Sequence, residues 1–462
     1  MSTTENQIRV RFAPSPTGFL HVGSARTALY NWLYARQNAG VFVLRIEDTD
    51  KERNRQEWDK AITESLEWLG LNFDEGPYRQ SERTELYRNG IDQLIAQGNT
   101  YYCDCTREEL EKRTEGKKPG YDGFCRDRGL EKKAGLALRF RVDGTEPVVV
   151  QDIIRGDVVF ERSAIEDFVI VKGNDDPLFV LANVIDDCEM RISHIIRGED
   201  LLPTTPKALL LWECLSNEPL PKFAHLPMLV NEKRQKLSKR RDPVAIEEYR
   251  NSGFLPEVIC GYLAILGWSP KDGREMLALD ELIEQFSLED VNHSPAFFDV
   301  VKLTHFNGEM IRSLSLEDFI ERSSGWVGDN WELSKVTKLI PLVQERVSKL
   351  SEIAPMLEFM YEPEIEVDPD TWSKAIEGNP NAKSILQYCL EQFRECDWDS
   401  ETLKEILLTV GDKVGLKLGK AQAPVRVAVS GSTVGLPLFE SLEALGRIVT
   451  SERIAKVLAK IQ

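Results

Sequence analysis

Within residues 8–46 a strand, a proline- and glycine-built turn, a helix and a second strand follow one another, and this succession constrains the fold more than any other stretch of the chain. Arginine and apolar residues alternate over residues 8–13, which suits a strand. Pro14, Pro16 and Gly18 build a tight turn, and a helix opens at Gly23. Ala25, Ala28, Leu29, Trp32 and Leu33 recur at helical spacing, and Asn38-Ala39-Gly40 closes the pattern as a C-cap. Val41-Phe-Val-Leu-Arg-Ile46 is the mostly apolar run of a strand buried on both faces. A strand, helix and strand with short connections form a βαβ unit and demand a parallel sheet.

Downstream, Trp58, Ala61, Ile62, Ser65, Leu66 and Leu69 make a second helical stripe closed by Gly70. From about residue 83 to residue 176 the texture changes to charged helical segments, a Gly/Pro-rich tract and β-rich runs over residues 137–142 and 148–150. This reads as a domain inserted into an α/β fold. Strand-like runs return at residues 179–182 and 192–196, and helical patterns dominate beyond about residue 242. At 462 residues the chain has room for roughly three domains. The predicted fold is α/β, a Rossmann-type parallel-sheet core with an inserted α+β domain, followed by an all-α half. The predicted bounds are 1–85 and 177–242 for the core, 86–176 for the insertion, and 243–325 and 326–462 for two helical regions.

Composition excludes several classes. No apolar run reaches membrane-spanning length, and the polar N-terminal residues lack the apolar core of a signal peptide. Eight cysteines in so long a chain make no disulfide scaffold, so a reducing cytoplasm is expected. A formal net charge of −18 argues against nonspecific nucleic-acid binding, and any RNA partner must be met by local basic patches.

Two separated elements carry phosphate chemistry. A helix N-terminus offers unpaired N–H groups and the positive end of its dipole. Gly23 lacks the Cβ that would hold a ligand away, and His21 just before it can donate to a phosphate oxygen. The bland alternative is that His21 caps or packs; the Pro/Gly turn and the βαβ context favour function. Far downstream, Lys236-Leu-Ser-Lys-Arg240 follows the strand-like residues 226–230. Alone it is a solvated basic run. Paired with the first element it completes a split site for a nucleoside triphosphate.

These motifs resemble the two signatures of class I aminoacyl-tRNA synthetases, His21-Val-Gly-Ser24 in the place of HIGH and Lys236-Leu-Ser-Lys-Arg240 in the place of KMSKS. The strings Arg11-Phe-Ala-Pro-Ser-Pro-Thr-Gly18, Arg45-Ile-Glu-Asp-Thr-Asp50, Leu181-Ala-Asn-Val184 and Ile196-Arg-Gly-Glu-Asp200 resemble the bacterial glutamyl branch of that family, and the resemblance runs to the tail at Gly435-Leu-Pro-Leu-Phe439. It implies ATP with Mg²⁺ at the sheet's switch point. His21, Lys236 and Lys239 would act as catalytic residues, and Thr17, Gly23, Asp200 and Ser238 would complete the ATP site. Glutamate's carboxylate would attack the α-phosphate, and a tRNA 2′-hydroxyl would then take the glutamyl group. Residues 86–176 would bind the tRNA acceptor, 243–325 its stem and inner corner through Asp299, Lys302 and Asn307, and 326–462 the anticodon, with Gln344-Glu-Arg346 on a helix there.

An anionic substrate side chain calls for arginine. By motif match Arg11 and Arg197 fill that role, with Ala13, Ser15 and Asn183 beside them and Glu47 receiving the ammonium group. Without the resemblance, residues 197–200 read equally well as an ordinary surface loop. Relatives often carry tyrosine where Phe179 stands, so a hydroxyl is missing there. Cys103, Cys105 and Cys125 read by spacing alone as buried cysteines; by resemblance they hold Zn²⁺, with Asp127 or Tyr121 as the fourth ligand. The expected partners are tRNA-Glu, with tRNA-Gln undecided, and L-glutamate, on a monomer. Rival readings are a nucleotidylyltransferase, a truncated enzyme that glutamylates a tRNA base, and a non-catalytic paralogue. The long helical tail argues against the first two, and the presence of His21 and Lys239 against the third.

Overall fold

The computed structural model describes residues 7–49, 54–115, 120–237, 244–327 and 336–461. Two compact units emerge, one of residues 1–250 and 255–303, the other of residues 251–254 and 304–462.

In the first unit the predicted βαβ opening is present. Strand β1 (Arg9–Phe12) leads through the turn into α1 (Val22–Gln37), and β2 (Val41–Ile46) lies parallel to β1 in the register Arg9↔Val41 to Phe12↔Leu44. The first helical stripe buries Leu29 and Leu33 completely, each contributing about 1.5–3 kcal/mol by leaving water. Helix α2 (Gln56–Trp68) ends before Gly70, whose φ of +75° is the left-handed conformation a helix stop favours. Strand β3 (Glu75–Arg79) completes a parallel sheet in the order β1-β2-β3.

The middle of the chain runs α3 (Thr84–Ala96), β4 (Thr100–Cys103), α4 (Arg107–Thr114), β5 (Ala137–Phe140), β6 (Val148–Asp152), β7 (Gly156–Phe160) and β8 (Val169–Val171). Strands β4, β5 and β8 form an antiparallel sheet of their own. The other two strands belong elsewhere. After α5 (Phe179–Glu189), β9 (His194–Gly198), α6 (Thr205–Leu215) and β10 (Lys222–Leu226), a second sheet takes the order β7-β6-β10-β9, with β6 and β9 both parallel to β10. Residues 148–160, read as part of the insertion, therefore extend the core sheet.

One element departs from its predicted type. Residues 179–182 were expected in a strand but open α5, whose buried face includes Leu181, Ala182, Val184 and Ile185. A four-residue apolar run has no period by which to distinguish the two, and the helical face becomes visible only across the whole segment. The unit continues through β11 (Leu229–Val230), α7 (Ile246–Asn251), α8 (Pro256–Ala264), α9 (Leu279–Gln285) and β12 (Ala296–Phe297).

The second unit is helical, as predicted. Helices Ala382–Gln392, Ser400–Val414, Leu418–Ser430, Leu438–Leu445 and Arg447–Lys460 share one core in which Leu386, Phe393, Leu407, Val425 and Ile454 have no exposure. The Asp399 side chain accepts the Thr402 N–H to cap the second of these helices.

Candidate active site

The parallel sheet and the mixed one meet where β1 runs beside β9. Only the first residues connect: the Arg9 N–H donates to Ser193 Oγ at 2.8 Å, and the Ser193 N–H to the Arg9 carbonyl at 2.9 Å. Beyond them no ladder forms between the described residues of β1 and β9. This is the crevice where open α/β sheets take their ligands.

One side of the crevice is a buried ionic network. Arg45, without exposure although it sits in an apolar strand, donates from Nη1 to Asp187 Oδ1 at 2.7 Å and from Nη2 to Asn183 Oδ1 at 2.6 Å and Glu47 Oε1 at 3.3 Å. Its Nε lies 3.7 Å from Asp186 Oδ2. Arg11 reaches both oxygens of Asp187 at 3.2 and 3.4 Å. Asp186 accepts from Arg83 Nε, Gln80 and the Tyr87 hydroxyl. Against the cost of burial, Arg11 and Arg45 hold the Asp187 carboxyl below its ordinary value. Burial pushes Glu47 the other way, up to about 7, with Arg45 and Arg11 opposing. The Glu47 N–H donates to the Pro14 carbonyl, which ties the loop of Ala13 and Ser15 to this network.

Arg197, on β9, stands outside that arrangement. It is 8% exposed, and no carboxylate of a described residue lies within ion-pair distance. Burial, with Arg11 alongside, pushes its guanidinium down to about 10, so it remains charged at neutral pH. It lines a small cavity with Phe179, Asn183 and Asp187. The structure thus gathers Arg11, Glu47, Asn183 and Arg197, but Arg11 and Asn183 are engaged within the protein. Arg45, Asp186 and Asp187 were missed by residue-level reading. The signal available for Arg45 was a lone charge in an otherwise apolar strand.

The start of α1 is different. The His21 ring caps α1: Nδ1 accepts from the N–H groups of Gly23 and Ser24 at 3.1 and 3.2 Å, which leaves the ring proton on Nε2, 3.1 Å from Ser24 Oγ. His21 thus caps the helix it precedes. A Cβ at Gly23 would meet that ring at 3.1 Å, so the glycine makes room for the histidine as well as for any ligand. His21, Gly23, Asp200 and Lys236 line one cavity of about 280 Å³. Lys236 Nζ lies 3.5 Å from Asp200 Oδ2, with both side chains more than half exposed. Thr17 is exposed in the turn after β1. Ser238 and Lys239 lie outside the described residues. Arg26, also missed, lines the same cavity and donates to the Leu266 and Pro227 carbonyls, fastening α1 to the chain on both sides.

The cysteine cluster forms as expected for three of its members. The sulfurs of Cys103, Cys105 and Cys125 lie within 4.8 Å of one another. The Tyr121 hydroxyl is 3.8 Å from Cys103 Sγ and accepts the Cys125 N–H. Asp127 is not brought in; its side chain is 86% exposed and pairs with Arg141 at 3.6 Å. Arg113 and Arg128 donate to the sulfurs of Cys105 and Cys125. Against burial, Arg139 holds the Cys103 thiol below its ordinary value, while burial pushes Cys105 up to about 12.

Of the residues expected to meet tRNA, Asp299 caps its own helix by accepting the Val301 and Lys302 N–H groups. Asn307 is buried and donates to the Ser348 carbonyl. Gln344 closes the short helix Ile340–Gln344 and donates to the Ile311 and Leu314 carbonyls. These contacts are structural.

These features, two sheets meeting at a crevice, a helix N-terminus with a lysine beside it and a small cavity lined by Asn183, Asp187 and Arg197, accompany a family match. Residues 7–305 match the catalytic domain of the class I tRNA synthetases for E and Q, and residues 315–458 match an anticodon binding domain. The chain belongs to that synthetase family. Among its relatives are glutamate–tRNA ligases of Frankia casuarinae, 51% identical over 460 residues covering 97% of each chain, and of Thermobifida fusca, 51% identical over 474 residues covering 99% of each. The crystal structure of a glutamate tRNA ligase from Elizabethkingia meningosepticum in complex with its amino acid superposes with a TM-score of 0.86 at 32% identity, covering 99% of this chain and 100% of that one.

Proposed function

We propose that the chain is a glutamate–tRNA ligase: with ATP it activates L-glutamate to glutamyl-adenylate, releasing pyrophosphate, then passes the glutamyl group to the 3′ end of tRNA-Glu. The observation that carries the reading is Arg197, a buried cation that forms no ion pair with a described residue and opens on a small cavity lined by Asn183 and Asp187, which Arg45 ties to Glu47. An anionic side chain satisfies the arginine, and a free ammonium group satisfies Glu47. Arg11 and Asn183 support this pocket through Asp187 and Arg45, and Ala13 and Ser15, on the loop tied to Glu47 through Pro14, are assigned to it by the same reading.

The phosphates of ATP fit the cavity at the start of α1, beside Lys236 and with Lys239 and Ser238 on the following loop. Mg²⁺ arrives on those phosphates and neutralises their charge. There the His21 ring has to yield the Gly23 and Ser24 N–H groups it now accepts, or donate from Nε2 while keeping them. The catalytic work is alignment of the carboxylate with the α-phosphate and stabilisation of its oxygens. Residues 86–176 serve the tRNA acceptor, 243–325 its stem and 326–462 its anticodon, the last supported by the family match.

Charging with labelled glutamate, in parallel on purified tRNA-Glu and tRNA-Gln, tests the reading. Product on tRNA-Glu supports it, and product on both assigns a second acceptor. No product on either overturns it. The eight free cysteines suit a cytoplasmic enzyme, and sedimentation of the free protein as one chain is the expected state. The three clustered thiols suit a structural Zn²⁺, which would cross-link β4 to the loop before β5, with Tyr121 as the nearest fourth donor. Metal analysis should find one zinc per chain, lost in Cys103→Ser and retained in Asp127→Ala; zinc absent from the unaltered protein refutes the site.

A further inference from the structure

His225 lies on β10 and Asp152 at the end of β6; neither side chain has any exposure. Asp152 Oδ1 accepts the N–H groups of Ile154 and Arg155 at 3.0 and 2.9 Å, and Oδ2 accepts the His225 N–H at 3.0 Å. A carboxylate that accepts on both oxygens stays ionised, and against burial these bonds hold Asp152 below its ordinary value. It can therefore only accept at its fourth contact, 2.6 Å from His225 Nδ1, so Nδ1 carries the proton. Nε2 of the neutral ring is then an acceptor. It receives Arg197 Nε at 3.2 Å and lies 3.1 Å from Thr205 Oγ1. Burial, together with Arg197 and Arg155, keeps the ring neutral against the pull of Asp152. Thr205 Oγ1 accepts Arg197 Nη2 at 2.8 Å, so two of the three guanidinium nitrogens are fixed, and Nη1 bonds to no described residue.

We propose that His225, its tautomer set by Asp152, is the positioning residue for Arg197, and that this relay ties β6 to the guanidinium that holds the substrate side-chain carboxylate. The proposal rests on the reading of Arg197 given above. Among the described residues Asp152 is the one carboxylate that contacts His225, and it reaches it from the neighbouring strand of the same sheet. Movement of β6 relative to β10 would be felt at Arg197 through a single ring.

The test is tRNA-dependent ATP–pyrophosphate exchange, read as separate KM values for glutamate and ATP, with thermal melting of each variant. Glutamine at 225 places an amide oxygen near the position of Nε2 and can still accept from Arg197. Asparagine places its amide near Nδ1, keeps the bond to Asp152 and leaves Arg197 Nε without its acceptor. Losing a hydrogen bond to a charged group should raise the glutamate KM about tenfold or more in His225→Asn, with His225→Gln within about threefold of the unaltered enzyme and the ATP KM unmoved in both. Asp152→Asn, which preserves shape and lets the tautomer reverse, should follow His225→Asn and supplies the same readout if that variant does not fold. Equal glutamate KM in all three variants, beside a large rise in Arg197→Ala, would overturn the relay and leave the Arg197 reading standing. An unchanged KM in Arg197→Ala would overturn the underlying reading as well. Parallel rises in both KM values in the asparagine and glutamine variants would reduce His225 to a packing role.

Discussion

On the amino-acid side of the crevice Arg45 has no exposure and meets Asp187, Glu47 and Asn183 at 2.6–3.3 Å, whereas on the phosphate side Lys236 and Asp200 are 61% and 57% exposed and 3.5 Å apart. The first arrangement is assembled before any ligand arrives. Arg11, Arg45 and Arg83 face Glu47, Asp186 and Asp187, Arg83 also reaches Glu189, and none of these carboxylates pairs with Arg197, the cation proposed for the substrate. The second has its cation in water and its helix N-terminus stoppered by His21. The difference teaches where discrimination resides. A small ligand of fixed charge pattern rewards a rigid site, because ordering is complete before binding. A triphosphate with its metal needs only cations within reach, and these can be gathered after it arrives.

The comparison breaks most visibly at Arg45. Replacing it with leucine leaves Asp187, Asp186 and Glu47 buried with less compensating charge, and removing one partner of a buried pair costs about 3–5 kcal/mol. The urea midpoint of Arg45→Leu should fall accordingly while the slope stays constant. A loss below about 1 kcal/mol would show that the network is more hydrated than its burial implies, and the contrast with Lys236 would disappear.

Glu47 sharpens the same contrast through pH. Its folded pKa, pushed by burial from 4.5 up to about 7, means that the folded chain holds the proton more tightly than the unfolded one. The stabilisation is fully present below about pH 4.5 and is lost as pH rises through about 7, with a slope of at most about 1.4 kcal/mol per pH unit between them. Glu47→Gln should remove that slope from the pH dependence of unfolding. Substrate binding runs the opposite way, because an ammonium group favours the ionised carboxylate: the glutamate KM should rise as pH falls below about 7, and calorimetry in buffers of different ionisation enthalpy should detect proton release on binding. A KM that is flat between pH 6 and 8 would remove Glu47 from the substrate's ammonium group.

What the sequence could convey follows from which physical signals are local. The βαβ opening was legible because the alternation over residues 8–13, the stripe from Ala25 to Leu33 and the apolar run of β2 each lie within one element. His21 and Lys236, which line one cavity, could be singled out because a capping turn and a basic loop mark themselves locally. Arg45 was hidden by its setting: one charge in an apolar strand leaves the strand reading intact and names no partner, and its partners Asp186 and Asp187 stand some 140 residues away. Those two were hidden again by the reading of residues 179–182 as a strand, which drew attention from the helix that carries them. Asp127 shows the converse: the resemblance offered it as a ligand, but side-chain direction, which sequence spacing does not give, turns it toward Arg141.

The smallest expected effect lies on the phosphate side. An exposed ion pair gains little Coulomb energy in water and loses side-chain entropy on forming, so exposed pairs contribute about 0.2–1 kcal/mol. Asp200→Asn should therefore shift the unfolding free energy by no more than that, and the shift should vanish at about 1 M salt, where the screening length is about 3 Å. The functional consequence has the opposite sign from the structural one. Asp200 pairs with Lys236, and on the proposed placement of the phosphates it would compete with them for the same ammonium, so removing its charge should leave the ATP KM unchanged or lowered as long as Asp200 touches only the lysine. A raised ATP KM would instead place the carboxylate on the nucleotide or its metal, and a stability loss that persisted at high salt would show that this pair is built like the network around Arg45.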